Sequence, residues 1–214
     1  MIERVNGENK MYEYIKGIVT FVSTAYIVLE NSGIGYQLFI ANPFRFSSKL
    51  NAEATIYVHQ AVREDAITLY GFKDYTEKQL YLKLLSVSGI GPKSGLAILA
   101  NDDHQGLVQA IENEDAAYLT KFPGVGKKTA SQIVLDLKGK LADLSLTQAE
   151  STTDYQQELV LSTNYSHVTE AVEALEALGY SAKEIKKIEP QIRKLNKEST
   201  DAYLREALRL LMKK

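Results

Sequence analysis

Short runs in which apolar and polar residues alternate occupy the first third of the chain. The runs are rich in β-branched and aromatic residues and span 12–22, 24–30, 34–40, 54–62 and 66–72. In the second run, Ile27 and Leu29 fall on one face of a strand and Val28 on the other. Asn31-Ser32-Gly33 is a turn sequence, and the pattern breaks near 42–50. Five short strands with such a break predict a small, closed or partly closed barrel of the OB type.

Beyond the strands, the pattern becomes helical. Apolar residues recur at helical spacing from Thr76 to about Leu144, and glycines interrupt them. The stretch 145–165 is rich in Ser, Thr and Gln and has little periodicity, which is typical of a linker.

The last part of the chain predicts three helices. Apolar residues at helical spacing indicate the first of them: Val168, Val172, Leu175 and Leu178. Gly179 follows as a C-terminal cap, and Ser181 with Glu184 fits a capping box for the second helix. Ser199 or Thr200 can cap a third helix over 201–213. A bundle of roughly 50 residues lies near the lower limit for independent folding.

An internal repeat is the strongest signal in the sequence. Segments 84–99 and 119–134 align at an offset of 35 residues. The identical pairs are Leu84/Leu119, Gly89/Gly124, Gly91/Gly126, Lys93/Lys128 and Ile98/Ile133. Each copy places glycine, an apolar residue and glycine between two helical patterns, with a lysine two residues later. Two such copies indicate a duplicated helix–hairpin–helix unit.

The chemistry of this unit favours phosphate binding. The glycines permit a tight turn, and we expect the residue between them, Ile90 or Val125, to be buried. Backbone amides at the start of the following helix lack intrahelical partners and carry the positive end of the helix dipole, so a phosphate is their natural ligand. The predicted DNA-binding residues are Gly89, Gly91, Lys93, Gly124, Gly126, Lys127 and Lys128. Such contacts carry no base information, and two hairpins in tandem could hold both strands of one duplex across the minor groove.

Composition narrows the function further. The formal net charge is −2, so a surface that binds nucleic acid must concentrate its basic residues on one face. The chain has no cysteine, which excludes disulfides, thiolate metal ligands and a thiol nucleophile, and is typical of a reducing cytoplasm. No stretch reaches the length of a membrane span. Residues 1–10 lack the apolar core of a secretory signal, and we expect them to be an upstream start or an extension before Met11.

The glycine–lysine sequences do not fit a nucleotide-binding P-loop. Lys128 stands where that motif requires Ser or Thr, and Lys121 stands where it requires its first glycine. We therefore expect no cofactor. Two other classes stay open: a helix–hairpin–helix nuclease or glycosylase using acids at 64–65, 102–103 or 112–115, and a protein-interaction adaptor without affinity for nucleic acid.

Several motifs, in this order and spacing, resemble the RuvA family over nearly all of the chain after Met11. They are MYEYIKG (11–17), VREDAITLYGF (62–72), GIGPK (89–93), PGVGKKTA (123–130) and ALGYS (177–181). The resemblance implies a multidomain α+β protein with four parts: an OB-fold barrel at 11–73, a tandem helix–hairpin–helix DNA-binding domain at 74–146, a flexible linker at 147–163, and a UBA-like three-helix domain at 164–214. It further implies non-catalytic binding of four-way (Holliday) junction DNA by a homotetramer or a pair of tetramers (an octamer). The implied partners are the RuvB ATPase and the RuvC resolvase.

The resemblance also assigns roles to residues outside the hairpins. Glu64 and Asp65 match the family's acidic pin, whose carboxylates would repel phosphates at the junction centre. Leu178 and Tyr180 match positions that would meet the ATPase, although a small bundle could equally use both as core. Gln132 stands where some relatives carry a basic residue.

Overall fold

The structure is a computed structural model that describes residues 11–141, 144, 164–195 and 197–213. The predicted extension at 1–10 and linker at 147–163 lie outside these residues. The chain forms two compact units, Met1–Lys78 and Gln79–Lys214. The strands of the first unit are β1 (Tyr14–Val22), β2 (Tyr26–Asn31), β3 (Ile34–Ile40), β4 (Glu53–Val62) and β5 (Ile67–Phe72).

The five strands close into a barrel in the order β1-β2-β3-β5-β4. β1 pairs with both β2 and β4, and β3 pairs with β5 in parallel, whereas the other neighbours are antiparallel. This arrangement confirms the predicted OB-type barrel. A 3₁₀ helix, Pro43–Lys49, occupies the break in the strand pattern between β3 and β4.

Alternation of side chains builds the core of the barrel. Ile27 and Leu29 are fully buried, whereas Val28 between them is half-buried, as the sequence pattern predicts. Phe46 of the 3₁₀ helix joins the same core. The β2–β3 turn places Ser32 and Gly33 at φ +51° and +79°, the sign of φ that a two-residue type I′ turn requires at both positions.

Buried charges tie the first turn of helix α1 (Tyr75–Leu85) to the barrel. The Arg45 guanidinium donates to Glu77 Oε1 at 2.8 Å, and the Lys73 amide donates to Glu77 Oε2 at 2.7 Å. Both charged side chains are buried. Lys78 Nζ, also buried, lies 2.7 Å from Glu13 Oε1. Removing one member of the buried Arg45–Glu77 pair would cost about 3–5 kcal/mol in the free energy of unfolding, because a lone charge would remain inside.

Helices make up the second unit in the part of the chain that the structure describes. They are α2 (Pro92–Leu99), α3 (His104–Glu112), α4 (Ala116–Leu119), α5 (Lys127–Leu137), α6 (Asn164–Ala177), α7 (Ala182–Ile192) and α8 (Thr200–Met212). The residues of the repeat supply much of the core between α1 and α5: Leu84, Ile90, Ile98, Leu119, Val125 and Ile133 are all buried. None of the helices in the described ranges has the length and apolarity of a membrane span.

Local sequence signals fix the ends of the C-terminal helices. Gly179 after α6 adopts φ +95°, and Ser181 with Glu184 forms the predicted capping box at the start of α7. Ser199 rather than Thr200 caps α8, since the Ser199 hydroxyl accepts a hydrogen bond from the Ala202 amide at 3.2 Å. The third helix therefore begins and ends one residue earlier than the sequence predicts.

Candidate nucleic-acid interface

The first hairpin connects α1 to α2. Gly89 adopts φ +92°, in the left-handed region that favours glycine. Ile90 is buried, and its amide donates to the Val87 carbonyl at 3.1 Å. Gly91 then returns to an extended conformation, φ −98° and ψ 173°, and caps α2. The chain therefore turns at Gly89, anchors itself through Ile90 and presents the start of α2.

The second hairpin, between α4 and α5, repeats this geometry. Gly124 adopts φ +77°, Val125 is buried, and Gly126 caps α5 at φ −84° and ψ 172°. The Val125 amide donates to the Phe122 carbonyl at 3.1 Å, the counterpart of the bond made by Ile90. The sequence repeat is thus a repeat of backbone structure.

The two hairpins face each other reciprocally. A Cβ atom built on Gly89 would lie 3.5 Å from Thr129 Oγ1, in the first turn of α5. A Cβ atom built on Gly124 would lie 3.0 Å from Ser94 Oγ, in the first turn of α2. Each turn therefore approaches the helix that follows the other turn, and the starts of α2 and α5 lie side by side.

Both helix starts present unused amide donors. The first bond within α2 is donated by Gly95 to Gly91 at 2.9 Å, and the first within α5 by Ala130 to Gly126 at 2.8 Å. The amides before these bonds have no partner inside their helix. Pro92 has no N–H, so α2 offers fewer donors than α5. The donors are Lys93 and Ser94 in α2, and Lys127, Lys128 and Thr129 in α5.

Positive charge and open space surround these donors. The Lys93, Lys127 and Lys128 side chains are exposed. Cβ atoms built on Gly91 and Gly126 would meet no described atom within 4 Å, so an incoming group can reach the backbone. Two adjacent helix starts, whose first amides have no partner among the described residues, form with the exposed lysines a surface suited to phosphate oxygens.

The first unit carries a separate acidic feature at the tip of the β4–β5 hairpin. Glu64 and Asp65 are exposed in this tip, which the Arg63 amide closes by donating to the Ala66 carbonyl at 2.9 Å. Val62 beside the tip is also exposed. Two carboxylates on a narrow, solvated projection repel a phosphate backbone.

Acidic residues from the other clusters in the sequence cap helices or form ion pairs. Asp103 caps α3 by accepting from the Gly106 amide at 2.8 Å, and Asp115 caps α4 by accepting from the Tyr118 amide at 2.9 Å. Glu114 pairs with Lys138, whose hydrogen bond lowers the pKa of that carboxyl. Helix capping and ion pairing account for these acids, so the arrangement gives no support to the nuclease alternative.

The two residues predicted to meet a partner lie in the turn between α6 and α7. Leu178 is half-buried, and Tyr180 is only 4% exposed. The Tyr180 hydroxyl is buried without a hydrogen-bond partner among the described residues. Burial raises the pKa of Tyr180, and the neighbouring Glu184 and Tyr118 raise it further. Their role in partner binding stays a prediction.

Sequence reasoning missed Lys121, immediately before the second hairpin. Its ammonium donates to the Met212 carbonyl at 2.7 Å and lies 5.5 Å from the centre of the Tyr118 ring. The internal repeat does not point to Lys121, because the residue at the equivalent position in the first copy is Ser86.

Comparison with known proteins agrees with this architecture. Residues 11–71 match the family described as RuvA N terminal domain, residues 81–139 match the SAM-like helix-hairpin-helix tandem, and residues 166–212 match RuvA, C-terminal domain. A protein of Latilactobacillus sakei called Holliday junction branch migration complex subunit RuvA is 58% identical over 206 residues, covering 95% of this chain and 100% of the relative. Proteins of the same name from Limosilactobacillus reuteri and Listeria innocua are 54% and 52% identical, covering 94% and 95% of this chain and 100% of each relative. With matches to both its barrel and its C-terminal helices and this degree of identity along its length, the chain belongs to the RuvA family.

Proposed function

We propose that this protein binds four-way DNA junctions and serves as the non-catalytic, DNA-binding subunit of a branch-migration complex. The observation that carries the proposal is the reciprocal pair of hairpins, which sets two phosphate-binding helix starts side by side. Because amides and lysine ammonium groups contact the backbone and not the bases, the protein would recognise the shape of its DNA. The names of its relatives point to the Holliday junction as that shape.

A fourfold assembly would give each of the four duplex arms an equivalent pair of hairpins, so we propose a homotetramer, or two tetramers as an octamer. Glu64 and Asp65 would act as the acidic pin, keeping strands apart at the crossover by charge repulsion. The proposed division of labour follows the domains: barrel at 11–73, DNA binding at 74–146, linker at 147–163 and motor binding at 164–214.

The remaining proposed partners are those that membership of the RuvA family implies. Leu178 and Tyr180 would contact the RuvB ATPase, which would supply ATP hydrolysis, and the RuvC resolvase would act on the same junction. We therefore propose that the protein acts in the cytoplasm, with the bacterial DNA.

A gel-shift comparison of a four-way junction with linear duplex of the same sequence tests the proposal. We expect tight, junction-selective binding that weakens steeply between roughly 50 and 200 mM salt. A variant with Gly91→Val, Gly126→Val, Lys93→Ala and Lys128→Ala should lose binding yet remain folded, because the new side chains extend into open space. Undiminished binding by this variant would contradict the proposal, and junction cleavage in Mg²⁺ would favour a nuclease.

The pin is tested by reversing its charge. Glu64→Lys with Asp65→Lys should tighten binding to linear duplex and reduce the preference for junctions, because the repulsion becomes attraction. Glu30→Lys with Glu53→Lys makes the same charge change at exposed positions elsewhere on the barrel and serves as the control. Unchanged discrimination in the Glu64/Asp65 variant, or an equal change in the control, would count against the pin.

Removal of residues 147–214 tests the motor-binding role. The shortened protein should still bind junctions and should no longer stimulate ATP hydrolysis by RuvB. Stimulation that survives the truncation would contradict the assignment of Leu178 and Tyr180.

A further inference from the structure

The C-terminal helices rest against the second hairpin within the second unit. Lys121 Nζ donates to the Met212 carbonyl at the end of α8, at 2.7 Å. A Cβ atom built on Gly179 would lie 3.9 Å from Pro123 Cβ, in the hairpin itself. The turn that carries Leu178 and Tyr180 therefore lies on the flank of a predicted DNA-binding element.

An ion pair and a shared groove extend this contact. Arg205 Nε of α8 lies 3.2 Å from Asp102 Oδ2, in the loop between α2 and α3. Beside this pair is a groove of about 350 Å³ whose walls include Tyr118 on one side and Leu208 and Lys213 on the other. Two polar contacts made by α8, and the packing of the α6–α7 turn on Pro123, thus hold the C-terminal helices against the helix–hairpin–helix region.

We propose that this contact is a closed state, which restrains the second hairpin and holds the Leu178–Tyr180 turn against it, and that DNA binding at the second hairpin opens it. This inference rests on the proposed function for its ligand, a DNA phosphate backbone. Its physical basis is that the C-terminal helices and DNA would compete for Lys121 and for the surface around Pro123.

Competition arises from the charge on each possible partner of Lys121. In the closed state its ammonium binds a carbonyl at the C-terminal end of α8, which carries only a partial negative charge. Lys121 is three residues before Gly124, so DNA on the second hairpin would bring phosphates with a full negative charge near it. A charged acceptor binds an ammonium more strongly than a neutral carbonyl does.

The contacts that hold the closed state are weak, so the state should open easily. The Arg205 side chain is 52% exposed, and ion pairs at such positions contribute little to stability. The Tyr180 hydroxyl is buried without a partner among the described residues, which opposes the packing around it. Opening would separate the turn from the hairpin and leave it free to bind a partner. Because linked binding equilibria are reciprocal, a partner that binds the exposed turn would also strengthen DNA binding.

The sequence permits a reporter without background, because the chain contains neither tryptophan nor cysteine. Tyr118→Trp and Lys213→Cys place a quencher and a bimane-labelled thiol on the walls of one groove. In the full-length protein, bimane fluorescence should be quenched without DNA and recover when a saturating four-way junction is added. Anisotropy of a dye-labelled junction in the same cuvette records binding independently.

Variants at the ion pair separate closure from DNA binding. Arg205→Glu places a third carboxylate beside those of Asp102 and Asp201, so it should relieve quenching without DNA and tighten junction binding by about twofold to fivefold. Arg205→Lys is the conservative control and should stay quenched. Asp102→Arg combined with Arg205→Glu restores opposite charges and should restore quenching.

The outcomes are distinguishable. Bound junction with the bimane still quenched would overturn the closed state and leave the proposed function intact, as would an Arg205→Glu variant that stays quenched. A junction that never binds would contradict the proposed function, whereas relief of quenching in Arg205→Glu would still support the contact.

Discussion

The two hairpins have nearly the same backbone but differ in what they offer a ligand. The glycines that turn the chain, Gly89 and Gly124, share the left-handed conformation, and both following helices start from an extended glycine. The second hairpin nevertheless presents one more amide and one more lysine, because Lys127 stands where the first has Pro92. Glycine and apolar positions thus fix the shape of this motif, and by our proposal the first helical residue sets how strongly it binds phosphate.

Their surroundings differ as well. The second hairpin lies beside the C-terminal helices through Pro123 and Lys121, whereas the equivalent of Lys121 in the first copy is Ser86. By our proposal, the hairpin with more positive charge and more donors is therefore also the one that is restrained before DNA binds.

The largest effects should come from the turning glycines. Gly89→Ala would force a side chain into the left-handed region, at a cost of about 1–2 kcal/mol in the free energy of unfolding. Gly124→Ala should cost more, since its Cβ would also approach Ser94 Oγ at 3.0 Å. Urea unfolding followed by circular dichroism measures both changes.

The capping glycines are matched controls for this experiment. Gly91→Ala and Gly126→Ala have ordinary φ values and open space, so each should lower the free energy of unfolding by about 1 kcal/mol at most, the difference between glycine and alanine as an N-cap. Equal destabilisation at all four glycines would show that the two positions of each hairpin do not differ as the dihedral angles indicate.

The lysines should have the next largest effect, on the salt dependence of junction binding. Each lysine that contacts a phosphate contributes about one to the slope of log K against log salt concentration. For each bound subunit, Lys127→Ala with Lys128→Ala should therefore reduce the slope by about two, and Lys93→Ala by about one. Lys138→Ala, at the far end of α5, should leave it unchanged. If Lys127→Ala with Lys128→Ala reduced the slope no more than Lys93→Ala does, the two hairpins would not differ in the number of lysines that contact phosphate.

Features that depend on local chemistry could be predicted from the sequence. Alternation gave the strands of the barrel, and the capping box at Ser181 gave the start of α7 because both partners lie within one helical turn. The hairpins were predictable since a Gly-apolar-Gly sequence that occurs twice, each time between helical patterns, is typical of a duplicated turn between helices. The smaller number of amide donors in the first hairpin could also be predicted from the sequence, because Pro92 has no N–H.

Contacts between distant residues could not be predicted. Arg45 and Glu77 are 32 positions apart, and no periodicity links a buried guanidinium to its carboxylate. Lys121 and Met212 are 91 positions apart. The burial of Tyr180 was left open between bundle core and partner contact, and the structure adds a neighbour in Tyr118, from a different part of the chain.

The smallest effect should come from the single amide that distinguishes the hairpins. Lys127→Pro would remove an ammonium and an N–H, whereas Lys127→Ala removes only the ammonium, so the difference between the two isolates the amide. Proline should fit, since Gly126 has almost the same backbone angles as Gly91, which already precedes a proline. Lys127→Pro should therefore bind junctions more weakly than Lys127→Ala by about 0.5–1.5 kcal/mol for each contacting hairpin. The salt slopes of the two variants should agree, because an amide is uncharged. In the first hairpin, Pro92→Ala should strengthen binding by a similar amount, and if neither substitution changes junction affinity, phosphates do not reach the first residue of these helices.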